Sequence, residues 1–308
     1  MNIELTSQSI YKVSWSGGDF CLNLVPLNQG ATCSGMGVGY ASVQPAGKLA
    51  NTISDLVGIV GLGLQGCPRV PRIHWDSREH HYWDAFEGTF EPRNVVVNAP
   101  TVEFVGNDQT VRASYYYIAN YVKTTLAWVF RETDFVAGKP VWETVITIEN
   151  LTGQILKNYL HFFACYHPAH TNYFWNSTGE IAPCGAGGFI AIPNADQKQR
   201  LHASTYQQLC DRYCGNQKME YFQYRQPVLI SERQPWYGDA RHVFMIEPDK
   251  CAAIVTWVNQ ARDYMIRPPT YDLYPGATFT TRIRHAIASV EDVPALEVLW
   301  SNFMHPAP

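Results

Sequence analysis

Four segments that resemble strands follow one another between Arg93 and Asn150, with turn signals after the first and the third. The segments NVVVNAPTVEFVG, QTVRASYYYIANY, TTLAWVFRETDF and PVWETVITIEN are rich in β-branched and aromatic residues. Turn residues stand at Asn107-Asp108 and at Ala137-Gly138-Lys139. Hairpins at this spacing are typical of antiparallel sheets, so the pattern predicts a mainly β fold.

The composition agrees with a β-rich globular protein. Charged residues make up 16% and aromatic residues 13% of the chain, and 19 prolines with 22 glycines provide many turns. The formal net charge is −4, without a basic stripe, which argues against nucleic acid and anionic membranes as partners. The longest apolar run, Leu56–Leu64, is too short to span a bilayer.

The rest of the chain predicts more strands and a few helices around them. Residues 3–14 and 19–26 read as strands, and apolar spacing over Ala46–Val60 predicts a short helix. The segment 204–224 has helix-like stretches, and Val293–Phe303, with Pro294 near its start, predicts a terminal helix. No linker interrupts the chain, so we expect a single β-sandwich domain over 1–308. Its N-terminal strands and short helix (1–66) would pack on the main sandwich.

A glycine motif at residues 61–66 formally matches the dinucleotide-binding pattern G-x-G-x-x-G. Cys67-Pro68 follows at once, the residues before it look helical, and no βαβ rhythm surrounds it. We therefore expect no dinucleotide site and no cofactor.

The segment Pro71–Pro92 combines titratable side chains with large aromatic ones more densely than any other window. Aromatic rings beside acids, bases and hydrogen-bonding groups suit a polar ring-shaped ligand such as a sugar. The alternative is a segment of paired charges whose aromatic residues pack against the core. On the first interpretation His81 is a candidate catalytic residue, and the candidate substrate-binding residues are Arg72, His74, Trp83, Asp84 and Glu87.

A second aromatic and polar cluster is HPAHTNYFWN, which we expect to form a loop after a strand. His167 and His170 are candidate catalytic histidines, with structural imidazoles as the alternative. Tyr173 and Trp175 are candidate substrate-binding residues. Glu247, in the apolar strand VFMIEP, is a candidate catalytic carboxylate, with a strand-end salt bridge as the alternative.

Three segments resemble the galactose mutarotase-like superfamily of large antiparallel β-sandwiches. WETVITIENLTGQILKNYLHFFACYHP resembles its central strands, DLYPGATFTTRIRHAI its closing strand, and HPAHTNYFWN the run around the mutarotase base. The resemblance implies a supersandwich fold and a carbohydrate-related role, but the superfamily contains epimerases, lyase domains and accessory domains. The first histidine segment and the C-terminal glutamate of mutarotases have no matching motif in this chain.

The first functional hypothesis is an enzyme of aldose 1-epimerase type that moves protons on a sugar or sugar-like substrate. The second is a polysaccharide or uronate lyase, or another lyase on the same scaffold, with or without the help of a metal. The third is a non-catalytic carbohydrate-binding protein. His74-x-Asp76 with nearby histidines matches no full metal-ligand spacing, so we expect no metal site. A cytoplasmic location is the default expectation because no signal-peptide pattern stands at the N-terminus.

Overall fold

A computed structural model shows a β-sandwich, which confirms the predicted mainly β fold. The structure describes residues 1–7, 10–15, 18–25, 40–45, 57–61, 96–97, 101–104, 110–119, 122–151, 153, 155, 161–166, 172–184, 189–193, 220–231, 240–256, 261–270 and 272–306. Strands β1 to β4 form a four-stranded antiparallel sheet, and the later strands belong to a 15-stranded sheet.

The described residues contain nineteen strands, one short 3-10 helix at Glu132–Asp134 and one α-helix, α1, at Val293–Met304. The strands are β1 (Asn2–Ser7), β2 (Ile10–Trp15), β3 (Gly18–Val25), β4 (Tyr40–Pro45), β5 (Val57–Gly61), β6 (Val96–Val97), β7 (Thr101–Phe104), β8 (Thr110–Ala119), β9 (Val122–Arg131), β10 (Val141–Asn150), β11 (His161–Tyr166), β12 (Asn172–Asn176), β13 (Ile181–Pro183), β14 (Phe189–Ile192), β15 (Glu220–Ser231), β16 (Arg241–Ile246), β17 (Cys251–Thr256), β18 (Ala261–Ile266) and β19 (Thr278–Ala288).

Strand β15 joins the two halves of the large sheet. Its first residues pair with β14 in parallel, and its last residues pair with β16. Against β12, Phe174 pairs with Leu229 but Asn176 pairs with Tyr224, so a step of two residues opposes a step of five. Such an irregularity bends a strand sharply. The bend forms a corner between one half with β5, β11, β18, β17 and β14 and another with β16, β19, β10, β9 and β8.

The two halves pack face to face across this corner. The hydroxyl of Tyr264 on β18 donates to the carbonyl of Phe244 on β16 at 3.0 Å. Further along, the ring of Phe174 on β12 lies 4.7 Å from that of Phe189 on β14. All four side chains are almost fully buried, so the core lies between the halves.

Helix α1 covers the opposite, outer face of the second half. The Asp292 side chain accepts a hydrogen bond from the backbone of Ala295 at 3.0 Å, and a proline occupies the first turn, as predicted. Leu296, Leu299 and Phe303 pack against Val141, Val228, Ile230, Val243, Met245 and Ala286. No helix among the described residues is long and apolar enough to cross a membrane.

The predicted turn at Ala137-Gly138-Lys139 is confirmed, and the one at Asn107-Asp108 lies outside the described residues. Ala137 and Gly138 both have positive φ, at 48° and 72°, and close the turn between β9 and β10. Asn150 ends β10 and lies against the turn that opens β19: its backbone nitrogen donates to Ala277, and its carbonyl accepts from Gly276 at 2.9 Å. Two of the three segments that resemble the mutarotase-like superfamily, the one with β10 and the one with β19, therefore meet at this point.

Three predicted elements are wrong in part. Val57–Gly61 is a strand paired with β11. The helix predicted over Ala46–Val60 is therefore wrong for its last residues, and a strand rather than a helix leads into the glycine motif. Short runs rich in Val and Ile fit either structure by periodicity alone. Residues Asn172–Asn176 of the aromatic cluster, expected as a loop, form strand β12, and Glu220–Tyr224, expected near a helix, begins β15. The packing of residues 1–66 within one domain stays a prediction.

Candidate functional site

One end of the sandwich, here called the open end, lies away from the corner. At this end β11 stops at Tyr166, which pairs with Ala261, and β12 begins at Asn172, which pairs with Ser231. Five residues join Tyr166 to Asn172, and a chain of that length reaches at most about 20 Å. The two halves of the sandwich therefore approach each other here. His167 and His170 belong to this connection and lie outside the described residues.

A row of polar side chains crosses the inner face of the sheet at the open end. Asn172, Ser231 and His242 occupy neighbouring positions on β12, β15 and β16. They are 7%, 0% and 0% exposed, and the Ser231 hydroxyl accepts from the backbone nitrogen of His242 at 2.9 Å. The side-chain oxygen of Asn172 is buried, and no described residue donates a hydrogen bond to it. A buried amide oxygen of this kind needs a partner, so the Asn172 end of the row is a candidate binding position.

A pair of buried histidines continues this row toward the core. His242 Nε2 lies 3.3 Å from His285 Nδ1, and His285 Nε2 lies 3.0 Å from the hydroxyl of Thr144. The indole of Trp142 stacks on both imidazoles, with centroids 5.7 Å and 4.9 Å away. Together with Asn172 and Ser231, these residues form what we call the inner cluster.

Burial lowers the pKa of His285 to about 3, so its imidazole is neutral near pH 7. A neutral imidazole has one nitrogen that donates and one that accepts. If Thr144 donates to His285, then His285 donates to His242; if His242 donates, Thr144 accepts. The hydrogen-bond direction at Thr144 is therefore coupled to the direction at His242 through the tautomer of His285. A change at one end can reach the other without a charge on His285.

The inner cluster includes two histidines that the sequence did not single out. His242 and His285 stand within apolar strands, in RHVFMI and RIRHAI. Their alternation with outward-facing arginines was the one available signal, since successive side chains point to opposite faces. Placing both imidazoles together required the pairing of Phe244 with His285 across β16 and β19.

Glu247 lies at the corner, away from the open end. It directly follows β16, six residues after Arg241, and so lies roughly 20 Å from the open end along the strand. Its carboxylate accepts from the backbone nitrogen of Arg282 at 3.1 Å and lies 3.4 Å from that guanidinium. These contacts fit the alternative of a strand-end salt bridge. A catalytic role for Glu247 stays a prediction, and a single site cannot readily use both Glu247 and the open end.

Tyr173 and Trp175 lie on the outer face of β12, where both contact the layer under α1. Tyr173 is half-buried beneath the guanidinium of Arg241, which lies 4.9 Å from the ring centroid. Trp175 is 2% exposed, and Arg225 lies 5.3 Å from its ring centroid. Trp175 therefore packs in the core, and its predicted contact with a substrate stays a prediction.

The outer face also holds a network of ion pairs. The buried carboxylate of Glu143 lies 2.7 Å from Arg284, 3.3 Å from Arg131 and 3.5 Å from Arg282. Burial raises the pKa of Glu143, but the three guanidinium groups, Arg284 most of all, more than offset this and leave it lowered. Glu143 therefore stays ionised, and the network serves as a structural anchor beneath Phe303, whose ring faces two of the arginines.

The remaining predicted residues belong to Pro71–Pro92 and lie outside the described residues: Arg72, His74, His81, Trp83, Asp84 and Glu87. Among the residues that the structure does describe, no three His, Cys, Asp or Glu side chains are grouped to hold a metal ion.

No protein-family model and no curated protein sequence matches this chain. Solved structures with a similar course of the chain include the GH36 alpha-galactosidase AgaB from Geobacillus stearothermophilus, at 10% identity and a TM-score of 0.47 over 94% of this chain and 41% of that one. A protein from Synechocystis sp. PCC 6803 has 12% identity and a TM-score of 0.42 over 94% of this chain and 100% of that one. A putative aldose 1-epimerase from Escherichia coli K12 has 10% identity and a TM-score of 0.32 over 63% of this chain and 69% of that one.

The chain spans about two fifths of the length of the galactosidase. By their own names, two of these matched structures are an alpha-galactosidase and a putative aldose 1-epimerase.

Proposed function

We propose that this protein binds a sugar at the open end and moves protons at its anomeric centre, as an aldose 1-epimerase or mutarotase does. The observation that supports this is the buried polar row of Asn172, Ser231 and His242. It lies where the chain leaves a segment with two histidines, and a sugar hydroxyl would supply the donor for the Asn172 oxygen.

The proposed chemistry needs one base and one acid. The base removes the proton of the anomeric hydroxyl while the acid protonates the ring oxygen, so that the bond between C1 and the ring oxygen breaks to give the open-chain aldehyde. We assign these roles to His167 and His170, which stand five and two residues before Asn172. His285 is unsuited to be the acid because its lowered pKa keeps it neutral, and it orients His242 instead.

The test is the rate of anomeric exchange, measured by polarimetry or proton NMR on a panel of freshly dissolved aldoses. His167→Gln and His170→Gln should each lower the rate by roughly 100-fold or more, since positioned acid–base groups contribute about 10²–10⁴. Binding of the same sugar, followed by ligand NMR, should change little. His305→Gln is the matched control because that histidine is exposed just beyond α1.

Full activity in the His167→Gln, His170→Gln double variant would refute the assignment. Sugar binding without turnover in the natural protein would favour the non-catalytic alternative over an enzyme.

A uronate lyase is the second candidate, and the contact between Arg241 and Tyr173 favours it. A phenol can serve as the base that removes the proton beside a uronate carboxylate, and a guanidinium can neutralise that carboxylate. Such an enzyme would convert polyuronates to products with an ultraviolet-absorbing double bond. Tyr173→Phe should abolish that signal and leave anomeric exchange unchanged.

A further inference from the structure

We infer that Cys184 is a further residue of the proposed sugar site, at its entrance, where the thiol lies beside the sugar hydroxyl that donates to Asn172. This inference rests on the proposed function and adds to the same site a residue and a direction of access. It follows from the register between β12 and β13 and from the way exposure changes along the polar row.

Cys184 extends the polar row by one strand. It directly follows β13, and its backbone nitrogen donates to the carbonyl of Asn172 at 2.7 Å, which continues the pairing of Tyr173 with Pro183. Opposite residues of an antiparallel pair place their side chains on the same face, with Cβ atoms about 4.5–5.5 Å apart. Because Tyr173 lies on the outer face, Asn172 and Cys184 both lie on the inner face.

The exposure of this row rises toward β13. His242 and Ser231 are fully buried, Asn172 is 7% exposed, and Cys184 is half-buried. Among the described strands β13 pairs with β12 alone, whereas β15 and β16 each lie between other strands. A ligand therefore has room beside β13 that it lacks farther along the row.

The side-chain oxygen of Asn172 gives an independent reason to expect a ligand at this position. It is buried, and no described residue donates a hydrogen bond to it. Its cross-strand neighbours on the inner face are Ser231 on one side and Cys184 on the other. Because Ser231 is fully buried, a sugar hydroxyl that reaches this oxygen lies beside the thiol. A thiol is a weak donor and acceptor, so its role is to shape the site by contact.

The test is alkylation of the natural protein with iodoacetamide. The Sγ atom of Cys184 forms a bond to the methylene carbon of the reagent, the carbon–iodine bond breaks, iodide leaves, and the thiol proton passes to water. We expect the binding of glucose or galactose, followed by ligand NMR, to weaken by at least about 10-fold, because the added group occupies the position of the sugar hydroxyl. Peptide mass spectrometry identifies the cysteines that have reacted.

Cys184→Ser is the matched control, and it is compared with itself before and after the same treatment. Its affinity should not fall on treatment, which separates Cys184 from the other cysteines of the chain. Cys251 is an internal control because it is fully buried and burial raises the pKa of its thiol to about 12. It should stay unmodified while Cys184 reacts.

A second measurement uses the natural protein alone and does not depend on the folding of a variant. An aldose at about ten times its Kd should slow the alkylation of Cys184 by about 10-fold, because only the unoccupied fraction of the protein reacts.

Three results would overturn the inference and leave the proposed function standing. They are a bound aldose that does not slow the alkylation of Cys184, an alkylated protein that binds with unchanged affinity, and an equal loss of affinity in treated Cys184→Ser. If no aldose binds to the untreated natural protein, the inference and the proposed function both fail.

Discussion

The two faces of strands β10, β16 and β19 handle buried ionisable groups in opposite ways. On the inner face His285 lies among aromatic rings, and burial keeps it neutral. On the outer face the next residue, Arg284, stays charged because Glu143 is in direct contact with it. One residue along the strand thus separates a site that excludes charge from one that balances it, since neighbouring side chains point to opposite faces.

The contrast matters for function because the two solutions leave different chemistry available. The neutral imidazole of His285, in contact with His242, can orient a hydrogen bond toward the open end without disturbing a proton transfer there. A closed set of ion pairs has no such freedom and instead fixes α1 against the sheet. Arg241, one residue before His242, lies on the outer face over Tyr173, and no carboxylate of the described residues lies within ion-pair distance of it.

Glu143→Gln should give the largest effect, because it removes the carboxylate that lies 2.7 Å from buried Arg284 and leaves only Asp134, at 3.6 Å, to balance that charge. We expect a loss of about 3–5 kcal/mol in the free energy of unfolding, measured by urea denaturation at pH 7. Glu149→Gln, on the same face of the same strand but only half-buried, is the control and should change it by less than about 0.5 kcal/mol. Equal effects of the two substitutions would show that burial of the network contributes little.

The pH dependence of stability should separate the two faces. The folded pKa of His285 is about 3 and the unfolded one about 6.5, so between these values the unfolded chain binds the extra proton. Stability is therefore lost as pH falls from about 6.5, by up to roughly 1.4 kcal/mol per unit. Glu143, with its lowered pKa, contributes stability that is lost only in more acidic solution, below the usual range of a carboxyl.

Urea denaturation at pH 7, 6 and 5 measures this slope. His285→Phe removes the titrating group while keeping a ring beside Trp142. The free energy of unfolding of this variant should therefore change less between pH 6 and 5, by the amount that corresponds to nearly one proton. An unchanged slope would mean that His285 does not stay neutral in the folded protein.

How far the sequence predicts this molecule follows from the range of each interaction. The strands of β8 to β10, the turn at Ala137-Gly138 and the terminal helix with its Asp292 cap depend on near neighbours, and local patterns revealed them. Strand β18 was missed, because ARDYMI carries no clear alternation.

The site was harder to predict because it depends on register. Glu143 meets Arg284 across 141 residues, and the His242–His285 contact spans 43. A histidine in an apolar strand reveals neither its face nor its partner until the pairing is known. The sequence singled out Tyr173, whose role in binding stays a prediction, but it did not single out Arg241 or the inner cluster.

Thr144→Val should have a smaller effect that again distinguishes the faces. It keeps the shape of the side chain but leaves the Nε2 of His285 buried without the hydroxyl, at a cost of about 1–3 kcal/mol. Thr147→Val is the control on the same strand: Thr147 lies on the outer face, and its bond to Thr280 at 3.0 Å is exposed. Urea denaturation of both should show a loss in the first and less than about 0.5 kcal/mol in the second.

Arg225→Gln should have the smallest effect, although Arg225 belongs to the charged outer face. Its side chain is 52% exposed, that of Glu297 is 50% exposed, and the two lie 3.9 Å apart, so water and salt screen the pair. We expect a change within about 0.5 kcal/mol in urea denaturation, similar at low and high salt. If the free energy of unfolding falls by more than about 1 kcal/mol, also at high salt, then Arg225 stabilises the protein by stacking on Trp175. The outer face would then depend on aromatic contacts as much as on the pairing of buried charges, and the contrast with the inner face would narrow.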